Sequence, residues 1–301
     1  MYILIAILLF GLLIFVHELG HYLAARAFGI AIYEFSIGMG PKIFSKTSAK
    51  TGIAYSLRLL PIGGYLSMAG EDEESDNPNA FDKKPIWQRM IVTFAGAAFN
   101  ILLGFIVMFM LVIGMESLGS TQVSKFHDGA LSPGYGVEVG DVIKEVDGHR
   151  VHIPNELAYF VGRYGVNGTP VDVTVIRDGK ELIIPDVVFA IEAADGSAKK
   201  YGCDFYVNYS NKTFGNVIRE GFYRSTFTIR IVIDALIDLV SGKYGVEDLS
   251  GPVGVTGAIS SAAKEGSSNL WSIFVLLAMN LGIMNLLYSR RLHGRRSCRS
   301  R

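Results

Sequence analysis

The stretch MYILIAILLFGLLIFVHELGHYLAARAFG, residues 1–29, decides how the rest of the chain is read. Residues 1–16 are apolar without a break. His17, Glu18 and His21 follow within FVHELGHYLAA, and then apolar residues resume. A helix needs about 20 predominantly apolar residues to cross a bilayer, and this run is long enough. It reads as a retained membrane helix and not as a signal peptide. No basic region precedes it, its apolar part is too long, and no small-residue cleavage site follows.

Two more runs have the same character: Ile91–Met115, in IVTFAGAAFNILLGFIVMFMLVIGM, and Leu270–Leu287, in LWSIFVLLAMNLGIMNLL. Half of the 301 residues are hydrophobic, and they concentrate in these three runs. The expected fold class is a multi-span α-helical membrane protein with an inserted extracytoplasmic α/β domain and a membrane-associated β hairpin. Lys plus Arg and Asp plus Glu both number 28, so the net charge of zero argues for no nucleic acid or other polyanionic partner. The lipid bilayer is the implied partner. Cys203 and Cys298 flank the third run, so they should face opposite compartments, and neither has CxxC spacing.

Loop charges set the expected orientation. Arg26, Lys42, Lys46, Lys50, Arg58, Lys83, Lys84 and Arg89 cluster after the first span. By the positive-inside rule the N-terminus is outside, residues 30–88 are cytoplasmic and residues 116–268 are outside, in a cell inner (plasma) membrane. The Arg-rich end from Arg290 fits the cytoplasmic side.

The expected parts are therefore residues 1–29, the first span; 30–88, a cytoplasmic loop; and 89–115, the second span. They continue with 116–190, a compact α/β unit; 191–266, a linker with an amphipathic helix; 267–287, the third span; and 288–301, an aberrant Arg-rich tail. In the loop, IYEFSIGMGPKIF and GIAYSLRLLPIGGYLSMAG alternate like strands around KTSAKTG. EDEESDNPNAFDKKP reads as a solvated stretch. In the α/β unit, Asp147-Gly148 and Asp178-Gly179 mark hairpin turns, and Asn155 is placed to cap a helix. The amphipathic helix, within residues 216–242, either lies along the membrane surface or packs on the soluble unit.

His17 and His21 are four residues apart, so a helix puts both imidazoles on one face, one turn apart. Two imidazoles so spaced can bind one Zn²⁺, and Glu18 beside them can take a proton from water. Each ionisable group at membrane depth carries a cost of about 2.5–3.5 kcal/mol on insertion scales. Three together demand a partner, and a metal is the simplest one. The motif lies ~24 Å along the helix at 1.5 Å per residue, near the cytoplasmic side.

At this point the chain resembles the site-2 protease type of intramembrane zinc metalloprotease, in particular its bacterial members with a PDZ domain. The resemblance rests on FVHELGHYLAARAFGI, FSIGMGPKIF, LLPIGGYLSMAGE, FAGAAFNILLGF, GVEVGDVIKEVDGHRV, LSGPVGVTGAIS and MNLGIMNLL, which together cover nearly the whole chain. It implies zinc held by His17 and His21, with Glu18 as general base. It implies that the glycine-rich loop, including Gly63 and Gly64, is a membrane re-entrant β element that holds substrate as an extended strand. Asn285 and Asn100 match polar positions that the family places near the substrate; helix–helix hydrogen bonding is the alternative, of at least equal weight for Asn100. The unit at 116–190 would be PDZ-like and would take substrate C-termini. Substrates would be single-span membrane proteins, such as an anti-sigma factor or a leftover signal peptide.

The chain departs from the family in one place. The third zinc ligand there is an aspartate in N-x-x-P-x-P-x-L-D-G, and here the stretch is NLLYSRRLHG. Tyr288 and Arg290 replace the prolines, and His293 stands in place of the aspartate. Two readings stay open: His293 is a replacement ligand, or it matches by accident in an ending that lacks the family's fourth span. Under the second, the chain is a catalytically impaired relative that only binds membrane peptides. A transporter is the weakest alternative, because no repeat symmetry is present.

Overall fold

The computed structural model describes residues 2–71, 73–193, 199–243 and 252–296, with side chains of the last helix as far as Leu287. The chain divides into two units. The first comprises residues 1–111 and 228–301, and the second residues 112–227.

In the first unit, α1 (Tyr2–Ala27), α2 (Ile86–Gly114) and α6 (Ser267–Arg296) supply three stretches long and apolar enough to cross a membrane: Leu4–Ala27, Ile86–Gly114 and Ser267–Leu287. Their outward faces are apolar too. Leu4, Leu8 and Leu12 on α1, and Leu102, Ile106 and Met110 on α2, are exposed at four-residue spacing. In water such stripes would be buried, so they are lipid-facing. The helices approach closely where side chains are small. A Cβ on Gly20 would lie 2.6 Å from the Ala95 carbonyl oxygen of α2. A Cβ on Gly282 would lie 2.6 Å from Ile101 Cγ1 and 3.0 Å from the Ala97 carbonyl oxygen. Small residues are what allow helices to pack in lipid, where no hydrophobic drive brings them together. A shorter helix, α5 (Pro252–Glu265), packs with α1 and α6 through Ile259, Leu13 and Phe274.

Between α1 and α2 the chain forms two long strands, β1 (Ile32–Thr47) and β2 (Ala54–Met68), paired antiparallel. Their register shows a double fold. Ile37 pairs with Gly64 on one side and with Leu57 on the other, and Phe44 to Thr47 pair with Leu57 to Ala54. The order across the sheet is therefore 44–47, 54–57, 34–37 and 64–68. The break in β1 falls at Gly38 and Gly40, both at positive φ, which only glycine adopts without strain. One ion cluster ties the fold together. Glu34 accepts from Lys42 at 2.8 Å and from Arg58 at 3.0 Å, and Arg58 also donates to the Gly40 carbonyl. Segment 64–68 is the sheet edge on the α1 side. Phe35, Leu66 and Met68 pack there with Tyr22 and Val92.

The second unit is an antiparallel sheet in the order β10-β3-β4-β6-β7, with the short β5 on β4. Its strands are β3 (Leu118–Phe126), β4 (Val142–Val146), β5 (His149–Arg150), β6 (Val171–Arg177), β7 (Lys180–Val187) and β10 (Phe205–Ser210). A two-stranded piece, β8 (Ala190–Glu192) with β9 (Lys199–Tyr201), stands apart from it. Helix α3 (Pro154–Tyr164) covers a core of Val123, Ile143, Val146, Leu157, Phe160, Val173 and Val175. Both hairpin turns are built as their sequences require. Asp147 and Gly148, and Asp178 and Gly179, all have positive φ, the two-residue turn that matches strand twist.

Two sequence expectations are corrected here. Asn155 does not cap α3: Ile153 is the N-cap and Pro154 follows it, while the Glu156 carboxylate reaches back to the His152 amide at 2.6 Å. Proline suits the first helical position because it lacks the N–H that would need a partner. The unit also does not end at residue 190. β10 completes the sheet against β3, and the fully buried Asp204 accepts from the Leu131 and Ser132 amides and the Ser132 hydroxyl. Beside it, burial and the Asp204 charge push the Cys203 thiol up to about 12, so it stays protonated. Cys298 lies outside the described residues.

Helix α4 (Phe214–Val240) carries Phe214, Ile218, Phe222, Ile233 and Ile237 exposed, while Glu220, Ser225 and Asp238 are buried.

Asp141 fixes the middle of the second unit. Burial alone would raise its carboxyl, but hydrogen bonds from Arg177 at 2.7 Å and from the Glu138 amide at 2.9 Å outweigh it and hold it below the ordinary range. A depressed carboxylate stabilises the fold above its unfolded value of about 3.9 and loses that contribution as pH falls through the folded value. We expect Asp141→Ala to destabilise this unit by roughly 1.5–3 kcal/mol, the range for charged hydrogen bonds, because Arg177 keeps Glu138 and the Gly136 carbonyl as partners. Amide exchange of β4 and β6 is the measurement. At neutral pH these amides should lose protection in the variant, and acidification below about pH 4 should narrow the gap to the parent.

Candidate metal centre

The site starts from the spacing of His17 and His21 on α1. Their Nε2 atoms face each other at 3.1 Å, with the rings edge to face. Two nitrogens bound to one tetrahedral zinc at about 2.0–2.1 Å lie roughly 3.3 Å apart. The pair therefore has the separation that one zinc ion requires.

The neighbouring helix fixes which ring atom of His21 is left for a metal. His21 Nδ1 is 2.7 Å from the Val92 carbonyl oxygen of α2. Nδ1 thus carries the proton and donates it, which leaves the Nε2 lone pair for a metal. His17 Nδ1 meets two amides at 3.4 Å, those of Asn100 on α2 and Asn285 on α6. The space for the rings comes from Gly96. A Cβ there would lie 2.5 Å from His21 Nε2 and 2.8 Å from His17 Cε1.

Glu18 leans the other way around α1, against the hairpin. A Cβ on Gly64 would lie 3.3 Å from Glu18 Cβ, and one on Gly63 would lie 2.7 Å from Ile14 Cγ2. Gly63 also has a φ of 75°, where other residues are strained. The paired glycines therefore let the 64–68 edge run close past the acid.

Of the residues singled out in the sequence, the structure brings His17, Glu18, His21, Gly63, Gly64, Asn285 and Asn100 into one neighbourhood. His293 falls within α6, but its side chain lies outside the described residues. Among the described residues no group of three His, Cys, Asp or Glu side chains converges. Sequence reasoning missed Val92 and Gly96. Gly96 sits in the small-residue run FAGAAF, which could have flagged a close helix approach; a backbone carbonyl such as that of Val92 leaves no trace in sequence.

A paired-histidine motif on a membrane helix, beside an extended strand edge, defines a membrane-embedded metallohydrolase. The comparison with known families is direct: the model of Peptidase family M50 matches residues 5–294. This chain belongs to peptidase family M50, the site-2 type of zinc metalloprotease, and zinc is its cofactor. A Fusobacterium nucleatum protein named "Putative zinc metalloprotease" is 33% identical over 299 residues, covering 97% of this chain and 86% of that protein. A Clostridium perfringens protein with the same description is 31% identical, covering 98% of this chain and 86% of its own length. The Bacillus subtilis "Regulator of sigma-W protease RasP" is 28% identical over 376 residues, covering 96% and 87%.

Gly96→Ala should displace the imidazoles. We expect the purified variant to hold much less zinc than the parent while keeping its helical circular dichroism. Gly114→Ala, where a Cβ meets nothing within 4 Å, should keep the parent's zinc content. Equal zinc in Gly96→Ala would show that α2 does not shape the site.

Proposed function

We propose that this protease cleaves single-span membrane proteins within or near the bilayer, with His17 and His21 as zinc ligands and Glu18 as general base. The third ligand in this reading is His293, at the register position of the family's aspartate. Zinc would supply the Lewis acidity that polarises a scissile carbonyl and makes water nucleophilic near neutral pH. Glu18 takes the proton from the attacking water and passes it to the leaving amine.

The observation that carries this reading is the sheet edge at Gly64, packed against Glu18. A transmembrane helix hides its carbonyls in internal hydrogen bonds, so it must unwind before attack. Among the described residues, segment 64–68 pairs only with 32–37. In this reading an unwound segment adds as a further strand along that edge, and Gly63 and Gly64 keep it near the acid. In this reading half-buried Asn285, beside His17 at 3.4 Å, also touches substrate.

The proposed orientation follows the loop charges, with the N-terminus outside and the hairpin on the cytoplasmic side of the inner membrane. The second unit is read as a PDZ-like domain that takes substrate C-termini outside. The name of the Bacillus subtilis relative supports a regulatory substrate, such as a membrane-held anti-sigma protein. The exposed apolar stripe of α4 supports its lying against the membrane surface.

Reconstitution with a single-span test protein checks the reading. Glu18→Gln should keep zinc and lose about 10²–10⁴-fold in cleavage, the usual contribution of a general base. His17→Ala should lose both zinc and cleavage. Zinc binding without cleavage by the parent chain would favour instead a relative that captures membrane peptides without cutting them.

A further inference from the structure

We propose that Asn100 is a positioning residue for the metal centre: its side-chain carbonyl accepts the proton on His17 Nδ1 and holds that ring with Nε2 turned toward the zinc. This rests on the reading of His17 as a zinc ligand.

The argument begins with a stripe on α2. Val92, Gly96 and Asn100 are spaced by four residues, so they lie on one helix face. That face meets the His17–His21 face of α1 at each position. The Val92 carbonyl takes His21 Nδ1 at 2.7 Å, Gly96 leaves room for both rings, and the Asn100 amide faces His17 Nδ1 at 3.4 Å. His17 also has a backbone hydrogen bond with Gly96, and Asn100 is the side chain that this stripe adds beside it at Nδ1.

Chemistry then chooses which end of the amide faces the ring. A neutral imidazole has one N–H, and ligation through Nε2 puts it on Nδ1. The group facing Nδ1 must then be an acceptor. As placed, the amide nitrogen faces Nδ1, while Asn100 Oδ1 is buried with no partner among the described residues, in a residue fully closed to solvent. A half-turn of the amide exchanges two atoms of nearly equal size. It gives Oδ1 the Nδ1–H as its donor and gives His17 the tautomer that binds metal. An asparagine deep in a membrane helix needs such a partner. Asn285 reaches the same ring nitrogen at 3.4 Å but is only half-buried, which leaves it open to substrate or water.

Zinc affinity of the purified full-length chain, measured by competition with a chromophoric chelator, is the test. Asn100→Leu removes the acceptor and should weaken zinc binding by about 10–100-fold, the usual effect of losing such an outer partner. Asn100→Asp keeps an acceptor, as in carboxylate–histidine–zinc arrangements, and should bind zinc at least as tightly as the parent. Equal weakening in both variants would mean a packing defect, and parent-like affinity in both would mean no role; either overturns the proposal. His17→Ala separates the two levels. If it loses zinc while both Asn100 variants keep it, only the positioning role fails. If it keeps parent affinity, the ligand reading fails and this proposal with it.

Discussion

Everything in the first unit answers one constraint: ionisable side chains in a helix that otherwise belongs in lipid must be compensated where they stand. Three such groups cluster within five residues of α1. Solvent cannot reach them freely, so protein and metal must supply the partners. The Val92 carbonyl, two asparagine amides and a glycine edge are what the surrounding elements bring. In the proposed function the metal takes the remaining nitrogen lone pairs.

The same constraint explains the small residues. Partners reach the histidines only if α2 comes close, and α2 comes close only because Gly20 and Gly96 carry no side chain. Gly104 and Gly282 do the same between α2 and α6, where a Cβ on Gly104 would lie 2.8 Å from Met279 Cε. On the other flank, Gly63 and Gly64 bring a strand edge against Ile14 and Glu18. Packing and chemistry are therefore one design: the glycines that let the helices approach also leave room for the imidazoles and bring a strand edge beside Glu18.

Much of this was legible in the sequence, because its strongest signals are local. Hydropathy marks the three long apolar helices, the four-residue step of His17 and His21 marks one face of α1, and Asp-Gly pairs mark two turns of the second unit. What was not legible is non-local. The double fold of β1 and β2 depends on which segments meet across the sheet, and alternation alone is the same for a simple hairpin. β10 joins its sheet across a gap of some 80 residues from β3, so a boundary drawn from local pattern at residue 190 fell short. Asn155 looked like a cap, but Pro154 and Glu156 met the need differently. Val92 acts through its backbone, which every residue shares.

The central claim is that two imidazoles of α1 hold the zinc. X-ray absorption at the zinc edge of the purified chain in detergent reads the ligand set directly. The account predicts nitrogen at about 2.0–2.1 Å, with the outer-shell scattering of at least two imidazole rings and no sulfur. A chain without zinc, or zinc bound at about 2.3 Å to sulfur, would contradict it.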